Sequence, residues 1–111
     1  MKGANLKMKF DNVSLEKTAN IYFDGKVTSR AFYLPSGERK TLGIMLPGEY
    51  EFGTKQKEIM EITSGELDVL LPGESEWRTV KAGDSFTIPA DSSYKANPKT
   101  VVDYCCSYIE E

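Results

Sequence analysis

The sequence predicts an all-β domain built as a single sandwich or barrel, and three observations support this prediction. Short alternating or apolar runs recur along the chain. Segments with Gly and Pro separate these runs at the short intervals typical of sandwiches and barrels. No helical periodicity extends over a window of ordinary helix length. A length of 111 residues is enough for one modest core, so we expect one domain over residues 1–111, with residues 1–9 as a flexible N-terminal extension.

The strand candidates are bounded by good turn chemistry. The segments PSGE, LPGE, SGE, LPGES and AGD lie between them, and ADSS is interpreted as a further turn. In ELDVLL, the side chains of Leu67, Val69 and Leu71 share one face, which is typical of a strand with one side in the core. In chain order, the candidates are KVTSRAFYL, KTLGIML, EYEF, EIMEIT, ELDVLL, EWRTV, SFTIP and VVDYCCSYI.

The last candidate strand is apolar on both faces. A small barrel covers only one face of a strand, so the second apolar face predicts a homodimer. The alternative is that residues 1–20, whose own pattern is weak, cover that face. One face carries Val102, Tyr104, Cys106 and Tyr108, and the other carries Val101, Cys105 and Ile109.

Charge and cysteine content narrow the functional classes. With 14 Lys+Arg against 17 Asp+Glu, the net charge of -3 provides no basic field for polymeric nucleic acid. The opening MKGANLKMKF has neither the apolar centre of a signal peptide nor the length of a membrane span, so we expect a cytoplasmic protein. A disulfide between the adjacent Cys105 and Cys106 would be badly strained, and we expect reduced thiols that act as small core residues.

Two spaced motifs resemble the conserved motifs of the cupins. Gly83, Pro89, Asp91 and Tyr94 follow the spacing of the second cupin motif, in which the last position is histidine. The spacing from Glu58 to Gly65 resembles the second half of the first motif, in which the glutamate is a metal ligand. The resemblance implies a single-domain cupin with a jelly-roll-like β-barrel.

A narrower resemblance covers the chain from about Phe10 to its end. The segments NIYFDGKVTSRAF, KTLGIMLPGEYEFGT and EIMEITSGELDVLLPGESEW, with KAGDSFTIPA and DYCCSY, resemble the pyrimidine/purine nucleoside phosphorylase family of small cupins. This resemblance implies a pentosyltransferase that converts purine or pyrimidine nucleosides and phosphate into free base and ribose 1-phosphate. Two alternatives stay open, namely a non-catalytic cupin that binds a small sugar or nucleoside, and a sugar isomerase.

The usual cupin metal site cannot form from this composition. Such a site uses three histidines and a glutamate, whereas this chain has no histidine. We therefore expect no metal and no other cofactor, with phosphate as a co-substrate. A carboxylate-only magnesium or manganese site around Glu58 and Glu51 is the alternative.

Glu58 and Tyr94 are the candidate catalytic residues. Glu58 shares a strand face with Met60 and Ile62, and a carboxyl group that begins an apolar face has the raised pKa that suits acid catalysis. The alternative is a glutamate at the exposed mouth of the barrel, or one paired with a neighbouring lysine. Tyr94 stands at the vacated histidine position.

Lys26, Arg39 and Tyr50 are the candidate substrate-binding residues. Phosphorolysis needs a cation for phosphate; Lys26 opens a candidate strand, and Arg39 lies in the turn that approaches the next one. An aromatic face such as that of Tyr50 stacks on any base. The alternative is that the two cations are solvated surface residues and that Tyr50 belongs to the aromatic core.

Overall fold

The computed structural model describes residues 8–110, and within them the fold is two facing antiparallel sheets. The larger sheet has the order β1-β3-β4-β11-β6-β9, with β2 also paired to β3, and the smaller has the order β5-β10-β7-β8. A short 3₁₀ turn, Phe23–Gly25, joins β2 to β3. The strands are β1 (Ser14–Leu15), β2 (Asn20–Tyr22), β3 (Val27–Tyr33), β4 (Arg39–Met45), β5 (Tyr50–Thr54), β6 (Lys57–Ser64), β7 (Glu66–Leu70), β8 (Arg78–Lys81), β9 (Ser85–Ile88), β10 (Ser92–Pro98) and β11 (Val102–Ile109).

Alternation of side chains produces the core between the two sheets. Leu67 and Val69 of β7 are fully buried, while Asp68 between them is partly exposed, as the pattern of ELDVLL predicts. The predicted all-β class is confirmed. The predicted flexible extension, residues 1–9, lies mostly outside the described residues. No helix in the described part of the chain has the length and apolar character needed to cross a membrane.

Three strands of the structure, β1, β2 and β10, are absent from the sequence-based strand candidates, and β10 is the longest of them. The chain does bend at Ala90 and Asp91, as the turn residues of ADSS predict, and Asp91 has a φ of 54°. However, the second half of ADSS already belongs to β10, which begins at Ser92 and continues to Pro98. Ser, Asn and Pro are typical turn residues, so the segment lacks a strand signature. However, β10 pairs with both β5 and β7, and these two neighbours provide the hydrogen bonds and the cover that local propensity does not.

The strand β11 lies in the middle of the larger sheet, between β4 and β6. It pairs with β4 on one side and β6 on the other, with Tyr108 opposite Glu58. Tyr104 lies opposite Gly43, and a Cβ at that glycine would collide with the Tyr104 hydroxyl and with the carbonyl of Thr28. The absence of a side chain at Gly43 therefore allows the Tyr104 hydroxyl to donate a hydrogen bond of 2.9 Å to the Thr28 carbonyl.

Candidate active site

A cavity of about 340 Å³ opens between the two sheets. Its volume lies within the usual range for small-molecule sites, and aromatic side chains make up much of its wall. The described residues that line it come from both sheets and from the turn before β3. They are Tyr22, Phe23, Val27, Ser29, Thr41, Met45, Glu51, Phe52, Gly53, Glu58, Met60, Tyr94, Tyr104, Cys106 and Tyr108.

Glu58 lies on the inner face of β6 and lines this cavity. Its neighbours on that face, Met60 and Ile62, are buried in the core. Burial raises the pKa of the Glu58 carboxyl above 4.5, although a hydrogen bond from Cys106 and the positive charge of Arg39 both act in the opposite direction. Glu58 is therefore a half-buried acid that holds its proton to a higher pH than a solvated glutamate.

Cys106 stands beside Glu58 on β11. Burial, followed by the negative charge of Glu58, raises the pKa of the Cys106 thiol to about 12. The thiol is therefore protonated near neutral pH, is a weak donor 3.9 Å from the Ser107 carbonyl oxygen, and does not act as a nucleophile. The expectation of reduced core cysteines agrees with this environment, because Cys105 and Cys106 are both free and buried.

Tyr94 faces the same cavity from β10, so the structure brings the two predicted catalytic residues together. The Tyr94 ring packs against Phe52 and Phe86, with centroid distances of 5.5 Å and 5.8 Å. Burial raises the pKa of Tyr94 well above 10, and the charge of Glu58 raises it further. Among residues 8–110, none of the hydrogen bonds identified involves the Tyr94 hydroxyl, so this hydroxyl can donate to a bound molecule.

Arg39 lies at the edge of the cavity, beyond Tyr108. Its guanidinium carbon is 4.1 Å from the centroid of the Tyr108 ring, which is a cation–π contact. The Tyr108 hydroxyl is in turn 3.1 Å from the Thr41 hydroxyl. Tyr108 also forms part of another pocket, of about 520 Å³, that Arg39 lines. Tyr108 thus separates the carboxyl of Glu58 from an exposed cation.

Lys26 and Tyr50 are not among the described residues that line the cavity. Lys26 is exposed and directly follows the 3₁₀ turn, where its backbone N–H donates to the Phe23 carbonyl. Tyr50 is buried, and its hydroxyl donates a 2.8 Å hydrogen bond to the Leu46 carbonyl. The ring of Tyr50 packs against Phe23 and Phe52, which do line the cavity.

Several cavity residues were not identified as site residues from the sequence. The common face of Tyr104, Cys106 and Tyr108 was visible as an alternating pattern, but nothing local indicated that this face lies opposite Glu58. That information is contained in the register of β11 against β6, where Tyr108 pairs with Glu58 and Cys106 with Met60. Only this long-range strand pairing shows that the β11 face lies beside Glu58.

The donor set of the cavity does not fit the metal that cupins commonly bind. The charged residues in the described lining are Glu51 and Glu58, and the remaining polar groups are hydroxyls and one thiol. Among residues 8–110 there is no group of three or more His, Cys, Asp or Glu residues placed to hold a metal ion. With no imidazole in the chain, the ligand set typical of zinc, iron or copper cannot be assembled.

The model of the family described as Pyrimidine/purine nucleoside phosphorylase matches residues 17–108. The chain belongs to this family. A pyrimidine/purine nucleoside phosphorylase from Sulfurovum sp. (strain NBC37-1) is 61% identical over 91% of this chain and 98% of its own length. One from Clostridioides difficile (strain 630) is 57% identical over 93% of this chain and 98% of its own length. The family prediction made from the sequence motifs is confirmed.

Solved structures confirm the fold of this family member. A protein of unknown function from Acinetobacter sp. ADP1 aligns with a TM-score of 0.89 and 37% identity, over 91% of this chain and 98% of its own. Bacillus subtilis oxalate decarboxylase aligns with a TM-score of 0.71 and 14% identity, over 94% of this chain and 30% of its own. At that identity the likeness concerns the fold alone, and it supports the cupin-like architecture.

Proposed function

We propose that this protein is a nucleoside phosphorylase that converts purine and pyrimidine ribonucleosides and phosphate into free base and ribose 1-phosphate. Family membership supports the activity. The observation that carries the proposal is the placement of a half-buried acid, Glu58, in an aromatic cavity with the cation Arg39 at its edge. These are the groups that the reaction needs, namely a proton donor, a surface for the base and a positive charge for phosphate.

The base and sugar occupy the aromatic cavity in this proposal. Its volume of about 340 Å³ is at the lower end of the range for small-molecule sites, which suits one nucleoside and not a polymer. Aromatic faces stack on any base, so the wall does not discriminate between purines and pyrimidines through hydrogen bonds. Positioning of the sugar beside Glu58 and Tyr94 then contributes to the rate.

Glu58 acts as the acid in the proposed reaction. The bond between the anomeric carbon and the base nitrogen breaks, and the departing base takes the proton of the Glu58 carboxyl. A phosphate oxygen forms the new bond to the anomeric carbon. The pKa of Glu58, raised by burial, increases the fraction of the protonated form near neutral pH. The Tyr94 hydroxyl donates a hydrogen bond to the sugar or base.

Phosphate approaches from the side of Arg39. The described charged residues in the cavity wall are two glutamates and include no cation, so the wall itself offers phosphate no positive charge. Arg39 lies outside this wall, stacked on Tyr108, and its guanidinium can bind phosphate with two hydrogen bonds. Lys26 stays a predicted phosphate ligand, which substitution can test.

We further propose that the protein is a cytoplasmic homodimer that binds neither polymeric nucleic acid nor membranes. The outer face of the larger sheet supports the dimer, because Leu42, directly opposite Cys105, is 41% exposed although it lies mid-strand. The two free cysteines fit a reducing compartment. Light scattering should give twice the mass of the chain, and Leu42→Asp should lower it to one chain without unfolding the protein. A native monomer at micromolar concentration would remove the basis for the dimer.

The activity is tested by mixing the protein with uridine, adenosine, inosine or guanosine, with and without phosphate. We expect free base only with phosphate, together with an equal amount of ribose 1-phosphate. Base release without phosphate would identify a hydrolase instead. Nucleoside binding without turnover would favour the non-catalytic alternative, and conversion of a free sugar would favour an isomerase.

A further inference from the structure

The turn at the mouth of the cavity has an unusual backbone. We call residues Tyr22–Gly25 the aromatic turn. Three consecutive residues in it have positive φ angles, namely 53° at Phe23, 55° at Asp24 and 90° at Gly25. Glycine adopts such angles freely and aspartate tolerates them, whereas a bulky residue such as phenylalanine rarely does. The conformation of Phe23 is therefore strained, and packing around it must offset that strain.

The strained conformation places the Phe23 ring in the cavity wall. The ring centroid is 4.9 Å from that of Tyr50 and 5.6 Å from that of Phe52. Phe52 continues the row inward, with its centroid 5.5 Å from that of Tyr94. Phe23 is thus the outermost member of an aromatic row that leads from the mouth of the cavity to a candidate catalytic residue.

Phe23 combines a fixed position with an exposed surface, which Tyr94 and Tyr108 do not. Tyr94 is almost fully buried between Phe52 and Phe86, and Tyr108 carries the Arg39 guanidinium on its ring. Phe23 is anchored by two ring contacts, lines the cavity and is still 44% exposed. A flat ring that is held in place on one side and open on the other is suited to stacking.

We infer that Phe23 stacks on the nucleobase and thereby sets which bases the site accepts. This inference rests on the proposed function. Phenylalanine offers an apolar ring face and no hydrogen-bonding group. It therefore binds a base through the stacked ring area and does not read the hydrogen-bond donors and acceptors on the edge of the base. Such a contact admits both one-ring and two-ring bases, with the larger purine gaining more from it.

The test measures binding separately from turnover. The dissociation constants of inosine and uridine are measured by calorimetry without phosphate, for the native protein and for Phe23→Ala, Phe23→Leu and Phe23→Trp. Loss of one base stack should weaken binding by roughly five- to a hundredfold in the Ala and Leu variants, more for inosine than for uridine. The Trp variant should keep native affinity. Ile21→Ala is the matched control, because Ile21 lies on β2 two residues before Phe23, is 68% exposed and is not among the described residues of the cavity wall.

Kinetics then separates this inference from the proposed function. In Phe23→Ala we expect a higher KM for the nucleoside and a phosphate KM within about twofold of native. Nucleoside affinity unchanged in Phe23→Ala, or retained in Phe23→Leu, would overturn the role of Phe23 whether or not the protein is a phosphorylase. Native protein that binds nucleosides through Phe23 but never releases base would overturn the proposed function alone. Native protein that binds neither nucleoside would overturn both.

Discussion

Replacing Tyr94 by phenylalanine removes one oxygen atom from the cavity wall and leaves the ring in place. The packing of that ring against Phe52 and Phe86 is retained, so no core volume is lost. The hydroxyl is engaged by none of the hydrogen bonds identified within residues 8–110. We therefore expect the free energy of unfolding of Tyr94→Phe to lie within about 0.5 kcal/mol of native.

The kinetic effect of the same change should be much larger. In the proposed reaction the hydroxyl donates a hydrogen bond to a sugar or base on which charge develops. Hydrogen bonds that involve a charged partner contribute roughly 1.5 to 3 kcal/mol, which corresponds to a loss of about ten- to a hundredfold in kcat. The nucleoside KM should change little if the bond forms only in the transition state.

Tyr50→Phe provides the matched comparison, because the Tyr50 hydroxyl is bonded to the Leu46 carbonyl and not directed into the cavity. Its loss should cost about 0.5 to 1.5 kcal/mol of stability, or roughly 2 to 8 °C in Tm, with kcat nearly native. Thermal melts and phosphorolysis rates of both variants are the assay. Native kinetics in Tyr94→Phe would refute the catalytic reasoning and leave Tyr94 as a core residue.

Three further predictions concern phosphate, pH and metal. Arg39→Ala should raise the phosphate KM by about ten- to a hundredfold, and an equal effect of Lys26→Ala would show that both cations bind phosphate. Because burial raises the pKa of Glu58 above 4.5, the folded protein keeps this proton to a higher pH than the unfolded chain. Native protein should accordingly lose stability relative to Glu58→Gln as the pH rises from about 4.5 through the folded pKa. Thermal melts of the two proteins over this pH range are the measurement, and a constant difference in Tm between them would contradict the prediction. Dialysis against EDTA should leave the phosphorolysis rate unchanged, and loss of activity restored by one cation would point to an oxygen-ligand site at Glu58.

The sequence by itself determined the class of fold, the core-facing side of the strand that carries Glu58, and the absence of histidine ligands. Alternation in the segments that become β6 and β7 identifies the buried face, and it places Glu58 on the same side as Met60. This information is local, because a two-residue period needs no knowledge of the partner strand. The absence of histidine is likewise a property of composition, and it rules out the usual cupin ligand set however the chain folds.

Only the tertiary structure decided what surrounds Glu58. Tyr108 pairs with Glu58 across β11 and β6, and Arg39 reaches the far side of the Tyr108 ring from β4. These strands are distant in the chain, and their register depends on the packing of the whole sheet. The same holds for β10, whose polar sequence becomes a strand because β5 and β7 pair with it on both sides. A carboxyl group can be located from its own segment, but its pKa and its partners depend on contacts that no single segment contains.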